Sequence, residues 1–212
     1  LLLACGPTGS GKTTTLYSCI REIDVEQRNA ITIEDPVEIR QPGLRQLQVV
    51  REVDVTFQSA MRSFLRADPD VIMVGEMRHR DGFDTALTAA DTGHMVMSTM
   101  HTSNASQTLQ RIFDFYSHDE RDQIRQSLAI NLAAIICQRL MPRAVGRGVV
   151  PALEIMINTG TIRKLLEQDK VIARDTPSSY PVAAEELPDV GYMRALSPEG
   201  VLSVNPDLIV SE

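Results

Sequence analysis

The run Gly6-Pro7-Thr8-Gly9-Ser10-Gly11-Lys12-Thr13-Thr14 satisfies the spacing G-x-x-x-x-G-K-[ST]. Three glycines let a backbone turn tightly, so that its N–H groups can converge on phosphate oxygens. Lys12 is placed to bridge β- and γ-phosphates, and the Thr13 hydroxyl to ligate Mg²⁺. An apolar stretch (residues 1–5) precedes the loop. A helical pattern with Leu16, Cys19, Ile20 and Ile23 follows it, which would set a positive helix end against the anion. That context separates the motif from a glycine-rich turn carrying a chance Lys-Thr. It predicts bound ATP with Mg²⁺.

Carboxylates come next. Thr32-Ile33-Glu34-Asp35-Pro36-Val37-Glu38 sets three acids at the end of an apolar run, and Val71-Ile72-Met73-Val74 ends in Gly75-Glu76. An acid at such a strand end holds the Mg²⁺ shell or orients an attacking water in phosphate-loop enzymes. Gly75 occupies the usual aspartate position, so Glu76 is the candidate catalytic group. The competing reading is a solvated surface acid, which the four preceding apolar residues disfavour. Two histidines bracket a third strand, in Thr92-Gly93-His94 and Thr99-Met100-His101-Thr102. From opposite strand ends they do not both reach one γ-phosphate, and no third ligand at metal-binding spacing accompanies them. Spacing leaves open a sensor role for one of them beside an ordinary surface or core position. Arg62 and Arg66 lie one turn apart on the polar face of a helix, and Arg78 follows Glu76. They are candidate contacts for transition-state charge, which is often met by an arginine from a neighbouring subunit. A solvated basic face pairing with acids is the equally open alternative.

These residues need a scaffold. Strands are expected at 1–5, 30–33, 71–74, 95–99 and 149–157. Between them Phe57, Ala60, Met61, Phe64 and Leu65 form one helical stripe, and Ile124, Leu128, Leu132, Ile135 and Ile136 a second. Strands alternating with helices predict an α/β fold with a mostly parallel sheet. The 212 residues are 43% hydrophobic and 23% charged, which excludes a disordered chain, and no apolar run nears the ~20 residues of a membrane span. A net charge of −7 argues against a general nucleic-acid partner. Cys5, Cys19 and Cys137 form no C-x-x-C pair, so neither a disulfide framework nor a zinc knuckle is expected, and a reduced, cytoplasmic setting fits. The chain opens on Leu in a strand already under way, and is expected to be a piece whose beginning lies upstream. Near residue 168 the composition changes: 169–212 hold 3 basic and 8 acidic residues, and 5 of the 11 prolines.

The ordered motifs resemble the secretion-type ATPases of type IV pili and type II secretion, most closely the PilT-like retraction ATPases. G-P-T-G-S-G-K-T-T-T-L, T-I-E-D-P-V-E, L-R-A-D-P-D-V-I-M-V-G-E-M-R and T-G-H-M-V-M-S-T-M-H-T carry that resemblance over residues 1 to about 171. It implies a RecA-like core in which Glu76 is the catalytic acid, Glu38 the working acid of the Asp box, and His94 and His101 the His box. It further implies a homo-hexameric motor, cytoplasmic and peripheral to the inner membrane, docked on a pilus platform protein. Assembly and secretion members carry a four-cysteine zinc insertion shortly after Q-R-L. Here Gln138-Arg139-Leu140-Met141-Pro142-Arg143 runs on to Val150 without one. The segment Asn158-Thr159-Gly160-Thr161-Ile162-Arg163-Lys164-Leu165-Leu166-Glu167 is similar to one typical of retraction motors. Retraction is therefore expected over pilus extension or type II secretion.

The family's N-terminal PAS-like domain is expected to lie outside this sequence. Residues from about 170 onward, including Val171-Ile172-Ala173-Arg174-Asp175-Thr176-Pro177 and Leu187-Pro188-Asp189-Val190-Gly191-Tyr192, resemble the opening of periplasmic hemin-binding proteins of ABC importers. One strand-pair unit of that fold does not make a porphyrin site, so no heme is expected. The expected organisation is an ATPase core over 1–168 followed by a foreign fragment over 169–212, read as a fusion of two truncated frames rather than an evolved two-function protein, with a non-motor fusion product as the alternative function.

Overall fold

The computed structural model describes residues 1–23 and 27–168. The second resemblance and the expected join near 170 lie outside the described residues. The chain divides into two compact units, 1–157 and 158–212. In the described part of the second, a helix over Gly160–Gln168 starts where the Thr159 carbonyl accepts the Arg163 N–H at 2.9 Å.

In the first unit the described strands are β1 (Leu2–Cys5), β2 (Ala30–Glu34), β3 (Arg45–Gln48), β4 (Val71–Glu76), β5 (Met95–Met100), β6 (Ala134–Pro142) and β7 (Val149–Ile157). The helices are α1 (Lys12–Arg21), α2 (Phe57–Phe64), α3 (Arg80–Asp91), α4 (Ala105–Phe113) and α5 (Arg121–Asn131). The strands form one sheet in the order β3-β2-β4-β5-β1-β6-β7, parallel at every pair except β6–β7. The α/β class and the mostly parallel sheet expected from the sequence are both present. β2 is buried at all five positions, as a central parallel strand covered on both faces must be. On one face α1 sets Leu16, Tyr17 and Ile20 against Ala4, Ala30, Val71, Met73 and Met97. Leu16 is fully buried, which contributes about 2 kcal/mol. A parallel arrangement gathers strand ends. Cys5 stands level with Met100 on one side and Cys137 on the other, and the Gly6 N–H continues to the Met100 carbonyl at 3.3 Å. The loops after β1, β2, β4 and β5 therefore open along one edge, where ligands of open α/β sheets bind.

Two local expectations need correction. The stripe through Ile124, Leu128, Leu132, Ile135 and Ile136 is not one helix. α5 ends at Asn131, Leu132 is extended (φ −68°, ψ 125°), and Ile135 and Ile136 belong to β6. Ile135 and Cys137 fit either period; pairing Ala134–Cys137 beside Leu2–Cys5 buries both and satisfies the backbone, and that long-range gain decides. β3 was not expected either, because Arg45-Gln46-Leu47-Gln48 is a polar edge strand without an apolar run. The 57–65 stripe does form a helix, α2. Thr56 starts it, its hydroxyl accepting the Ser59 N–H at 3.1 Å while Ser59 Oγ accepts the Thr56 N–H at 2.9 Å. Among the described residues, no helix is long and apolar enough to cross a membrane.

Candidate functional site

β1 delivers its chain straight into the glycine-rich loop. Gly6, Gly9 and Gly11 have φ of 144°, 77° and 86°, a region that favours glycine, and a Cβ at Gly6 would stand 2.3 Å from the Gln138 carbonyl oxygen. A turn, Ser10 N–H to Pro7 carbonyl at 3.2 Å, folds the loop back, and α1 begins at Lys12 with Thr15 N–H donating to Gly11 at 2.9 Å. By helix geometry the first amides of α1 lack a carbonyl behind them, and face the loop's concavity with the positive end of the helix. Ser10 Oγ is buried and has no partner among the described residues. An unsatisfied hydroxyl beside the first amides of α1, in a turn whose packing leaves no room for a side chain at Gly6, suits a phosphate chain. Pro7 and Thr8 form the exposed tip, and Thr13 and Thr14 stand on the first turn, half-buried and exposed respectively.

Lys12 is 8% exposed and its Nζ donates to the Gly6 and Pro7 carbonyls at 2.9 and 3.0 Å. Burial pushes its ammonium below the usual lysine range, and the carboxylates of Glu76 and Glu38, with the Cys5 thiol, pull it back up. Both candidate acids therefore lie within electrostatic reach of the phosphate-loop lysine.

Glu76 reaches that position through a bulge. The β4–β5 register breaks between Val74 and Glu76, and the Gly75 carbonyl leaves the ladder to accept from Ser98 Oγ (3.1 Å) and Thr99 Oγ1 (3.2 Å). A Cβ at Gly75 would press to 3.3 Å from the Ile33 carbonyl and 3.4 Å from Glu34 Cα. The backbone of β2 thus leaves little room for a side chain at 75, and the acid stands at the next residue. The Glu76 carboxylate, 23% exposed, meets Arg78 Nη2 at 2.7 Å and His101 Nε2 at 3.2 Å. Burial alone would raise its pKa; the Arg78 hydrogen bond and the His101 and Arg78 charges outweigh that and hold the group below its ordinary range.

The histidines part company. His101 follows β5 at the loop edge, whereas His94 precedes β5 at the opposite edge. There His94 Nδ1 lies 3.1 Å from the Ala89 carbonyl and 3.0 Å from Thr92 Oγ1. The structure brings His101 to Glu76 and leaves His94 a strand's length away. Glu38 is exposed, just beyond the turn that follows β2. Arg62 and Arg66 are exposed on and after α2, and among the described residues neither takes a carboxylate partner. The turn after α2 is tied to Asn29 (Nδ2 to the Ala67 carbonyl, 2.7 Å), at the start of β2, so Arg66 lies at the edge away from the loop. Of the three arginines, Arg78 alone meets the acid of this chain's own site.

Three side chains around the site, Glu34, Gln138 and Thr15, were given no individual role by the sequence. Glu34 is buried, its oxygens accepting from Tyr17 OH (2.5 Å), Thr32 Oγ1 (2.6 Å) and Gln46 Nε2 (3.1 Å). Burial and that carboxylate push the Tyr17 phenol well up. Gln138 and Thr15 meet behind the phosphate loop. A polar residue directly after Ile135-Ile136-Cys137 was the visible signal for Gln138.

A seven-stranded, mostly parallel sheet with a phosphate loop after one strand and an acid on a bulge two strands away defines a nucleotide-hydrolase type of core. Residues 1–179 match the family described as type II/IV secretion system protein, and the chain belongs to that family. It is 43% identical over 175 residues to the type IV pilus retraction ATPase PilT of Pseudomonas aeruginosa, covering 81% of this chain and 51% of that protein. It is 46% identical over 143 residues to the type IV pilus assembly ATPase PilB of Acinetobacter baylyi, covering 68% of this chain and 24% of that protein. A crystal structure of the pilus retraction motor PilT with bound ADP superposes with a TM-score of 0.73 at 37% identity, covering 97% of this chain and 61% of that one. The chain spans about half the length of the PilT relative.

Proposed function

We propose that this chain is the catalytic part of an ATP-hydrolysing motor that powers retraction of type IV pili. The observation that carries the reading is the placement of buried Lys12 in its glycine turn after β1 and of Glu76 on the β4 bulge, at the same edge of the parallel sheet. The chain's own residues divide the work. Amides at Gly6–Thr14 hold the phosphates, Lys12 spans the β- and γ-phosphates once nucleotide displaces its contacts to Gly6 and Pro7, and Glu76 accepts the proton of an attacking water. Both Glu76 oxygens are occupied by Arg78 and His101, so one contact gives way when water takes its place. Held ionised, the acid is ready to act as a base near neutral pH. Mg²⁺ would sit on the Thr13 hydroxyl near Glu76 and Glu38, an oxygen-only donor set that suits it, and would supply charge neutralisation on the phosphates. His101 senses the change at Glu76.

Arg66, at the edge away from its own site, and Arg62, exposed on α2, serve a neighbouring subunit in a homo-hexamer that docks on an inner-membrane platform protein. Lys12→Ala should abolish binding of a fluorescent ATP analogue, while Glu76→Gln keeps binding and loses turnover. Equal affinity in Lys12→Ala and parent overturns the reading.

A pilus-extension motor is the second reading, favoured by the identity to PilB. Against it, the β6–β7 turn closes over 143–148, with Arg143 N–H on the Gly148 carbonyl at 3.1 Å, where a zinc insertion would stand in assembly-type members. Deleting the gene separates the two. Loss of retraction leaves pili to accumulate on the surface; loss of extension leaves none.

A further inference from the structure

Gln138 ends the apolar run Ile135-Ile136-Cys137 on β6 and is 3% exposed, so its amide must find partners inside the protein. Both are on the phosphate loop and its helix. Nε2 donates to the Ser10 carbonyl at 2.5 Å, and Oε1 accepts from Thr15 Oγ1 at 2.8 Å. The same residue walls the loop from behind. A Cβ at Gly6 would meet its carbonyl oxygen at 2.3 Å, and a Cβ at Gly11 would meet Nε2 at 3.1 Å.

The consequence follows from peptide planarity. The Ser10 carbonyl and the Gly11 N–H belong to one rigid plane and point in opposite directions. Holding the carbonyl inward on Gln138 aims the Gly11 N–H outward, into the phosphate cradle. Glycine at 11 makes the alternative orientation of that plane inexpensive, so sterics alone do not fix it. Thr15, one turn into α1, fixes the other side of the Gln138 amide and thereby decides which end faces Ser10. We propose that Gln138 is a positioning residue that pre-orients the Ser10–Gly11 peptide for the nucleotide's phosphates, with Thr15 setting the orientation of its amide. The inference rests on the nucleotide-binding reading above.

The test is titration of the 212-residue chain with a fluorescent ADP analogue and Mg²⁺, alongside thermal unfolding without nucleotide. Gln138→Met, of similar shape but without donor or acceptor, should weaken binding about tenfold. Gln138→Glu keeps the acceptor for Thr15 but has no proton for Ser10, and should weaken binding comparably. Thr15→Val should weaken it about threefold, and Thr15→Ser should restore the parent value. Because they share one network, Gln138→Met and Thr15→Val should combine less than additively. A merely structural role would lower the unfolding temperature and leave the affinity of the folded protein unchanged. If Gln138→Met does not fold, Gln138→Glu and Thr15→Val decide. Affinities within twofold of the parent in the folded variants overturn the inference. Lys12→Ala in parallel separates the failures: lost binding there with intact binding in the Gln138 variants sinks the clamp alone, whereas intact binding in Lys12→Ala sinks the nucleotide reading itself.

Discussion

Glu34 and Glu76 end neighbouring strands on the same edge of the sheet, yet their surroundings differ in kind. Glu34 is buried and satisfied by neutral donors: a phenol, a hydroxyl and an amide. Glu76 is partly open and satisfied by cations, Arg78 and His101. The first arrangement ties α1, β2 and β3 together, because Tyr17, Thr32 and Gln46 come from those three elements. The second leaves a charged group beside the phosphate loop with ligands that can be exchanged. Burial with neutral hydrogen bonds makes a joint. Partial exposure with ion pairs makes a group that can react.

The sharpest way to break this comparison is to exchange the two phenotypes. Glu76→Gln should cut ATP turnover by roughly 10²- to 10⁴-fold while leaving nucleotide affinity near the parent value. Turnover that survives the change would remove Glu76 from the chemistry. Glu34→Ala strands the buried Tyr17 and Thr32 hydroxyls without an acceptor, and should lower unfolding stability by roughly 2–4 kcal/mol in a denaturant titration. A midpoint unchanged from the parent would deny Glu34 its role as a joint. The two histidines give a smaller contrast. His101→Ala should slow turnover about tenfold, by loosening Glu76, whereas His94→Ala at the other strand end should leave the rate alone. Equal effects would mean that proximity to Glu76 is not what matters.

Proton linkage sharpens the picture further. Glu76 titrates below its ordinary value of 4.5 in the folded protein, so its pairing stabilises the fold above that pH and is lost as pH falls through the lowered value. The acid limb of turnover should accordingly lie below the usual carboxylate range, and Arg78→Ala should move it upward. Glu120 supplies the smallest effect, as a surface control. Arg80 and Ser117 hold its pKa down to about 2. The stability difference between parent and Glu120→Gln should be small at neutral pH and shrink as the pH falls from about 4.5 towards about 2. A difference that persists at the acid end would assign the effect to packing instead of charge.

Much of this site was legible in one dimension because local chemistry wrote it there. The phosphate loop needs glycine where φ is positive and lysine at a fixed offset, so spacing alone located Gly6–Thr14, and Glu76 stood out as an acid closing an apolar strand. Strand alternation with helices likewise announced a parallel sheet. The sequence did not announce β6. Ile135 and Ile136 continue the helical stripe of α5 as well as they fill a strand, and pairing with β1, more than 130 residues earlier in the chain, settled the matter. The contacts of Gln138 were illegible for the same reason: its partners Ser10 and Thr15 are 128 and 123 residues away.

What the sequence determined by itself was the set of groups whose function depends on neighbours a few residues apart: the glycine turn, its lysine and hydroxyl, and the acids at strand ends. Strand order and direction decided the rest. They brought His101 and not His94 to Glu76, put Glu34 in the interior and Glu76 at the opening, and set a glutamine behind the loop, since contacts between distant segments follow from how the sheet closes and not from periodicity along the chain.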